Sequence, residues 1–168
     1  MVPRPGAPSL TVEPARPDDF ARIAQLTVDV YVGGGLATPA YALELADVAG
    51  RAERAELLVV RDTAGSVVGS VGLVLTGDWG NVTTSDEEAA FRMLVVDPAA
   101  QGRGIGELLV TICLDRARAA GKRRMVISTD PLMTTAHRLY ERLGFTRLPE
   151  RDWRPEPGVH LLVYSREL

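Results

Sequence analysis

An apolar run, Phe91-Arg92-Met93-Leu94-Val95-Val96, stops at Asp97-Pro98 and gives way to Gln101-Gly102-Arg103-Gly104-Ile105-Gly106. Beyond it, Ile105, Leu108, Leu109, Ile112, Cys113, Ala117 and Ala120 recur at helical spacing, so the stretch reads as strand, glycine turn and helix. Three glycines remove side chains where backbone must approach something closely. The start of a helix carries free N–H donors and partial positive charge, so a phosphate suits that place. A dinucleotide fingerprint needs G-x-G-x-x-G with an acidic residue about 20 positions on, whereas this chain has G-x-G-x-G followed by Lys122, Arg123 and Arg124. A nucleotide-triphosphate loop ends in Gly-Lys-Ser/Thr, and Gly121-Lys122 is followed by Arg123. A coenzyme site and a plain glycine-rich turn remain.

The composition bounds the partners. At 168 residues, 46% hydrophobic and 24% charged, the chain is one globular domain with a full core, and a net charge of −3 argues against nucleic acid. The single cysteine, Cys113, falls on the apolar side of the helix after the glycine turn, which makes it a core residue rather than a nucleophile. His137 and His160 are too isolated to suggest a metal, and no apolar run reaches membrane length. Residues 1–9, rich in proline and without a signal-peptide core, read as a flexible tail, and 10–168 as the domain of a cytoplasmic monomer or homodimer.

Along the domain, Leu10 to Glu13 reads as a strand. A helix follows from Pro17, with Asp18 and Asp19 in its first turn and Gly33-Gly34-Gly35 at its end. A second amphipathic helix after Pro39 carries Tyr41, Leu45, Val48 and Ala52 on one side. Leu57 to Val60 and Val67 to Leu75, joined through Ala64-Gly65, form a hairpin. Thr76 to Glu88 is a polar loop holding Trp79 and Gly80, and Ala89 to Val96 is the strand before the glycine turn. Gly121 caps the long helix, Met125 to Thr129 is a strand parallel to its predecessor, and Thr134 to Leu143 is a helix stopped by Gly144. Thr146 to Leu148 and Val159 to Arg166 are closing strands, which makes the class mixed α/β.

Gln101-Gly102-Arg103-Gly104-Ile105-Gly106 resembles the Gln/Arg-x-x-Gly-x-Gly/Ala motif of the GNAT superfamily of N-acetyltransferases, which binds the pyrophosphate of acetyl-CoA. Leu94-Val95-Val96-Asp97-Pro98 is similar to that family's fourth strand and its exit, and Ala136-His137-Arg138-Leu139-Tyr140-Glu141-Arg142-Leu143-Gly144-Phe145 to its A-x-x-L-Y-x-x-x-G-F signature. Glu13 to Phe20 resembles its opening. The resemblance implies a twisted, mostly antiparallel sheet of about seven strands with four helices. Its fourth and fifth strands would be parallel and splay apart, with the pantetheine arm lying between them.

The resemblance also implies an acetyl-CoA-dependent transfer to a small-molecule or peptide amine by direct attack in a ternary complex, without metal. Backbone N–H groups of Gly102, Gly104, Ile105, Gly106 and Glu107 would bind the pyrophosphate, with side-chain contacts from Gln101 or Arg103. Leu94, Val95 and Val96 would bond the pantetheine and acyl carbonyl through their main chain. Tyr140 would protonate the departing thiolate. For the base the reading is Glu88, sharing side-chain parity with Ala90, Arg92 and Leu94; Glu87 is a solvated charge. Relatives place acids where this chain has Ala90, Arg92 and Ser128, and an asparagine where it has Met133, which keeps a non-catalytic acyl-CoA-binding domain as the alternative. The Gly33 to Pro39 loop, Tyr41, Glu44, Trp79 and Trp153 would wall the acceptor site.

Overall fold

The computed structural model describes residues 10–79 and 82–168; the tail expected over 1–9, and Gly80 in the Trp79 loop, lie outside them. Its strands are β1 (Thr11–Pro14), β2 (Glu56–Arg61), β3 (Val67–Val74), β4 (Glu88–Val96), β5 (Arg124–Thr129), β6 (Thr146–Arg147) and β7 (Leu162–Glu167). They form one seven-stranded sheet in the order β1-β2-β3-β4-β5-β7-β6, antiparallel except for the β4–β5 pair. The helices are α1 (Phe20–Tyr31), α2 (Ala42–Ala46), α3 (Val48–Ala52), α4 (Ile105–Ala119) and α5 (Thr134–Arg142). No helix among the described residues is long and apolar enough to cross a membrane.

The single amphipathic helix expected after Pro39 is two short ones. Asp47 breaks it by leaving helical backbone (φ −78°, ψ 68°) and accepting from the Gly50 N–H at 3.0 Å, the local competition that makes aspartate a cap rather than a helix interior residue. The central strands are buried on both faces. Leu58, Val60, Leu73 and Phe91 pack under α4 and α5, while Leu57, Val59 and Val95 pack under α1 and α3. Cys113, fully buried on the inner face of α4, has its thiol pushed up to about 12 by desolvation, which keeps it a neutral core group. On the other edge Arg61 donates to both carboxylate oxygens of Asp19, at 2.9 and 2.7 Å, and ties the start of α1 to β2.

Candidate active site

The glycine turn is built from its flanks inward. Asp97 accepts from the Ala99 N–H at 3.0 Å and from Arg22 at 2.8 Å, which pins the chain as it leaves β4. Gly102 (φ +79°) and Gly104 (φ +77°) then adopt left-handed backbone, the latter as the N-cap of α4. A methyl group added at either would meet nothing, so these glycines are required by conformation, whereas one on Gly106 would stand 3.2 Å from Leu139 on α5. The N–H groups of Ile105, Gly106 and Glu107 fall in the first helical turn, outside the α4 ladder, while Leu108 already bonds the Gly104 carbonyl at 3.0 Å. Gln101 and Arg103 are exposed beside them. The Ile105 side chain is core, and Glu107 pairs with Arg142 at 3.1 Å. Orphan donors, a bare turn and a helix N-terminus suit a pyrophosphate.

A crevice opens from the same end of β4. The β4–β5 ladder holds only at Glu88–Arg124, Ala89–Met125 and Ala90–Val126; from Ile127 onward β5 pairs with β7 alone. Beyond Ala90, the main-chain groups of β4 directed towards β5 therefore have no strand partner. Against β3 the register passes from Gly72–Arg92 to Ser70–Val95, so β4 spends Met93 and Leu94 on the single residue Val71. Met93 lies at the bulge with φ +57°, a conformation costing a non-glycine residue roughly 1–2 kcal/mol. Strain of this kind persists where surrounding structure enforces it, commonly at functional sites. The bulge also corrects the expected parity. Ala90, Arg92 and Met93 all face the α1–α2 side, and Leu94 turns to the α4 side.

Tyr140 closes the crevice together with Phe91, Leu94, Ser128 and Thr129. Its ring, 4% exposed, packs at 5.8 Å from Phe91 and 5.7 Å from Phe145. Burial raises its hydroxyl well above the ordinary tyrosine range, so it holds its proton throughout the physiological range and is a donor. His137, one turn earlier, directs Nε2 at the Asp130 carbonyl (3.1 Å) and at Thr129 Oγ1 (3.2 Å); bonding the carbonyl requires a hydrogen on that nitrogen.

Glu88 is a different matter. It begins β4 at the closed end of the β4–β5 pair, about 20 Å along the strand from Leu94. Its buried carboxylate accepts from Arg151 (2.8 and 3.1 Å), the Thr84 N–H (2.8 Å) and the Thr84 hydroxyl (3.1 Å), with Arg124 3.7 Å away. Desolvation alone would raise its carboxyl; hydrogen bonds from Arg151 and Thr84 outweigh that and hold it below the usual value. Glu88 is thus a saturated structural carboxylate, not a base at the crevice. Glu87 stays exposed, 3.7 Å from Arg123.

Of the side chains expected to wall the acceptor site, three come together, and Glu44 stays exposed. Tyr41, Trp79 and Trp153 join one apolar cluster with Leu45, Met93 and Tyr31. The sequence reading missed Arg51, Met93 and Tyr31. Arg92, read only as the place of an absent acid, carried a signal as the one charge inside an apolar strand; nothing local marked the others.

The description "Acetyltransferase (GNAT) family" fits residues 20–145. A mycothiol acetyltransferase of Streptosporangium roseum is 48% identical over 52 residues, which is 31% of this chain and 15% of that protein; the chain spans far less than two thirds of such curated relatives. A GCN5-related N-acetyltransferase of Kribbella flavida superposes with a TM-score of 0.72 at 28% identity, covering 98% of this chain and 100% of the other. A Salmonella typhimurium protein solved with acetyl-CoA shares the fold, with a TM-score of 0.69 at 23% identity over 95% of this chain and 94% of that one.

Proposed function

The chain belongs to the acetyltransferase (GNAT) family, and we propose that it moves an acetyl group from acetyl-CoA to a primary amine by direct attack in a ternary complex. One observation carries the reading. The orphan N–H groups at the start of α4 follow in the chain directly after the end of β4 whose main chain is unpaired towards β5, which suits a long ligand with a pyrophosphate at one end and a thioester at the other. The solved relative with acetyl-CoA supports that choice of donor. Ile105, Gly106 and Glu107 bind the pyrophosphate through their N–H groups, with Gln101 and Arg103 beside them. The β4 main chain around the Met93 bulge offers N–H donors to the acyl carbonyl oxygen as negative charge develops there. Tyr140 donates its proton to the leaving thiolate. Cys113, buried, takes no part.

No Asp, Glu or His lies among the described residues that line the crevice, so the acceptor reacts as its free amine and gives its proton to solvent. The rising limb of kcat/KM with pH then follows the pKa of each acceptor amine, moving when the amine is changed. Thiol release from acetyl-CoA with a series of amines of graded basicity tests both statements. Release that no amine stimulates would overturn the transfer, and a limb fixed at one pH for every amine would reveal a base in the protein.

A further inference from the structure

On the α1–α2 side of β4 the structure leaves donors without acceptors. Arg51 is 2% exposed; its Nη2 donates to the Leu45 carbonyl at 2.5 Å, while its Nε has no partner. The other buried side-chain atom without a partner among the described residues is Trp153 Nε1, in the cluster that Leu45 anchors. Arg92 is close enough to Arg51 for their charges to oppose each other, and its Cζ lies 4.4 Å from the centre of the Trp79 ring. Neither guanidinium has a carboxylate within 4.0 Å among the described residues. Asp47, which caps the Gly50 N–H at 3.0 Å, attracts Arg51 only from beyond 4.0 Å, and the Tyr41 hydroxyl lies between the exposed Glu44 and Arg92.

Burying a guanidinium with no carboxylate in contact is unfavourable, and a second cation beside it adds to that. Two neighbouring guanidiniums without a carboxylate in contact, one with its Nε unsatisfied, call for an anion, and a planar guanidinium matches a carboxylate. The place also limits the ligand. Arg92 immediately precedes the Met93 bulge and lines the crevice, so an anion on it sits within a few bonds' length of the reacting amine. We propose that Arg92, with Arg51 near it, holds a carboxylate of the acceptor. The amine acetylated then belongs to an amino acid or a close analogue, its side chain lying against Trp79 and Tyr31. This rests on the acetyl-transfer reading above.

The probes are the twenty L-amino acids and their C-terminal amides, which differ in the carboxylate charge and retain the amine. In acetyl-CoA assays at least one acid exceeds its own amide tenfold or more in kcat/KM. Arg92→Gln brings that ratio close to one. Arg51→Lys, which keeps a charge and is safer for folding than a neutral replacement, lowers it part of the way. A binding arm runs beside the kinetics: Trp79 and Trp153 are the only two tryptophans, so ligand binding to the coenzyme complex is read by their fluorescence. Amides that equal their acids throughout in both arms, or a preference undiminished in Arg92→Gln, overturn the proposal. Acid-selective binding without amine-stimulated thiol release upholds the anion site and fails the transfer reading instead.

Discussion

Strand β4 carries a charged cluster at each end, and the two are opposites. At the closed end every oxygen of Glu88 is matched by Arg151, Thr84 and, further off, Arg124. At the open end Arg51 and Arg92 have no carboxylate within 4.0 Å, and the Nε of Arg51 and the indole N–H of Trp153 have no acceptor, among the described residues. Buried polar groups ordinarily find partners, because leaving one unmade costs its full desolvation. The complete cluster therefore reads as part of the framework, and the incomplete one as a place for something that arrives.

The sharpest way to break that contrast is Glu88→Gln. Removing one member of a buried pair costs about 3–5 kcal/mol, so urea unfolding is expected to show a loss of that order, while activity per folded molecule survives. A stable variant that had lost its acetylation rate would make Glu88 the base after all. The same cluster sets an acid limb. Because hydrogen bonds from Arg151 and Thr84 hold the Glu88 carboxyl below the usual carboxylate value, its stabilisation is present above that usual value and lost as pH falls through the lowered folded one. Glu88→Gln flattens this limb in a stability profile below about pH 5.

At the open end, Tyr140→Phe keeps the packing on Phe91 and Phe145 and removes only the donor. Losing a proton-transfer group costs a factor of roughly a hundred to ten thousand, and a thiolate leaves readily enough to put this case at about a hundred. The loss belongs in kcat, with coenzyme affinity unmoved by calorimetry. Gly104→Asn is a smaller perturbation. Asparagine tolerates the left-handed backbone there, so the fold persists while a side chain intrudes on the turn; coenzyme affinity should fall about tenfold, or roughly 1.4 kcal/mol. Unchanged affinity would remove the pyrophosphate from this turn. The least effect on chemistry is expected of Cys113→Ala. The core loses about 1 kcal/mol in thermal or urea unfolding, and turnover remains that of the parent; a dead, folded variant would restore an acyl-cysteine route.

Much of the framework was legible in the chain. Alternation and helical spacing marked the β2–β3 hairpin, α4 and α5, and Gly102, Gly104, Gly121 and Gly144 stand where the backbone turns left-handed. The family signatures located Tyr140, which lines the crevice, and the glycine turn that starts α4. Less was legible where two signals overlapped: the apolar stripe after Pro39 ran through Asp47, and the capping tendency of aspartate broke it.

By itself, then, the sequence determined what depends on neighbours within a turn or a strand's pleat: element type, caps, and the donor-rich start of α4. The tertiary structure alone decided which charges are spent. Arg151 reaches Glu88 from 63 residues away, and Arg51 comes to lie beside Arg92 on a different element. It also decided the bulge at Met93, where a one-residue slip against β3 swings Leu94 off the face its parity predicted. Local preferences are weak and repeat along any chain, whereas the pairing of a buried charge is settled by whatever the fold carries up to it. That difference is why the glycine turn and the start of α4 could be read from the sequence, whereas the partners of Glu88 and Arg51 could not be known until the chain was folded.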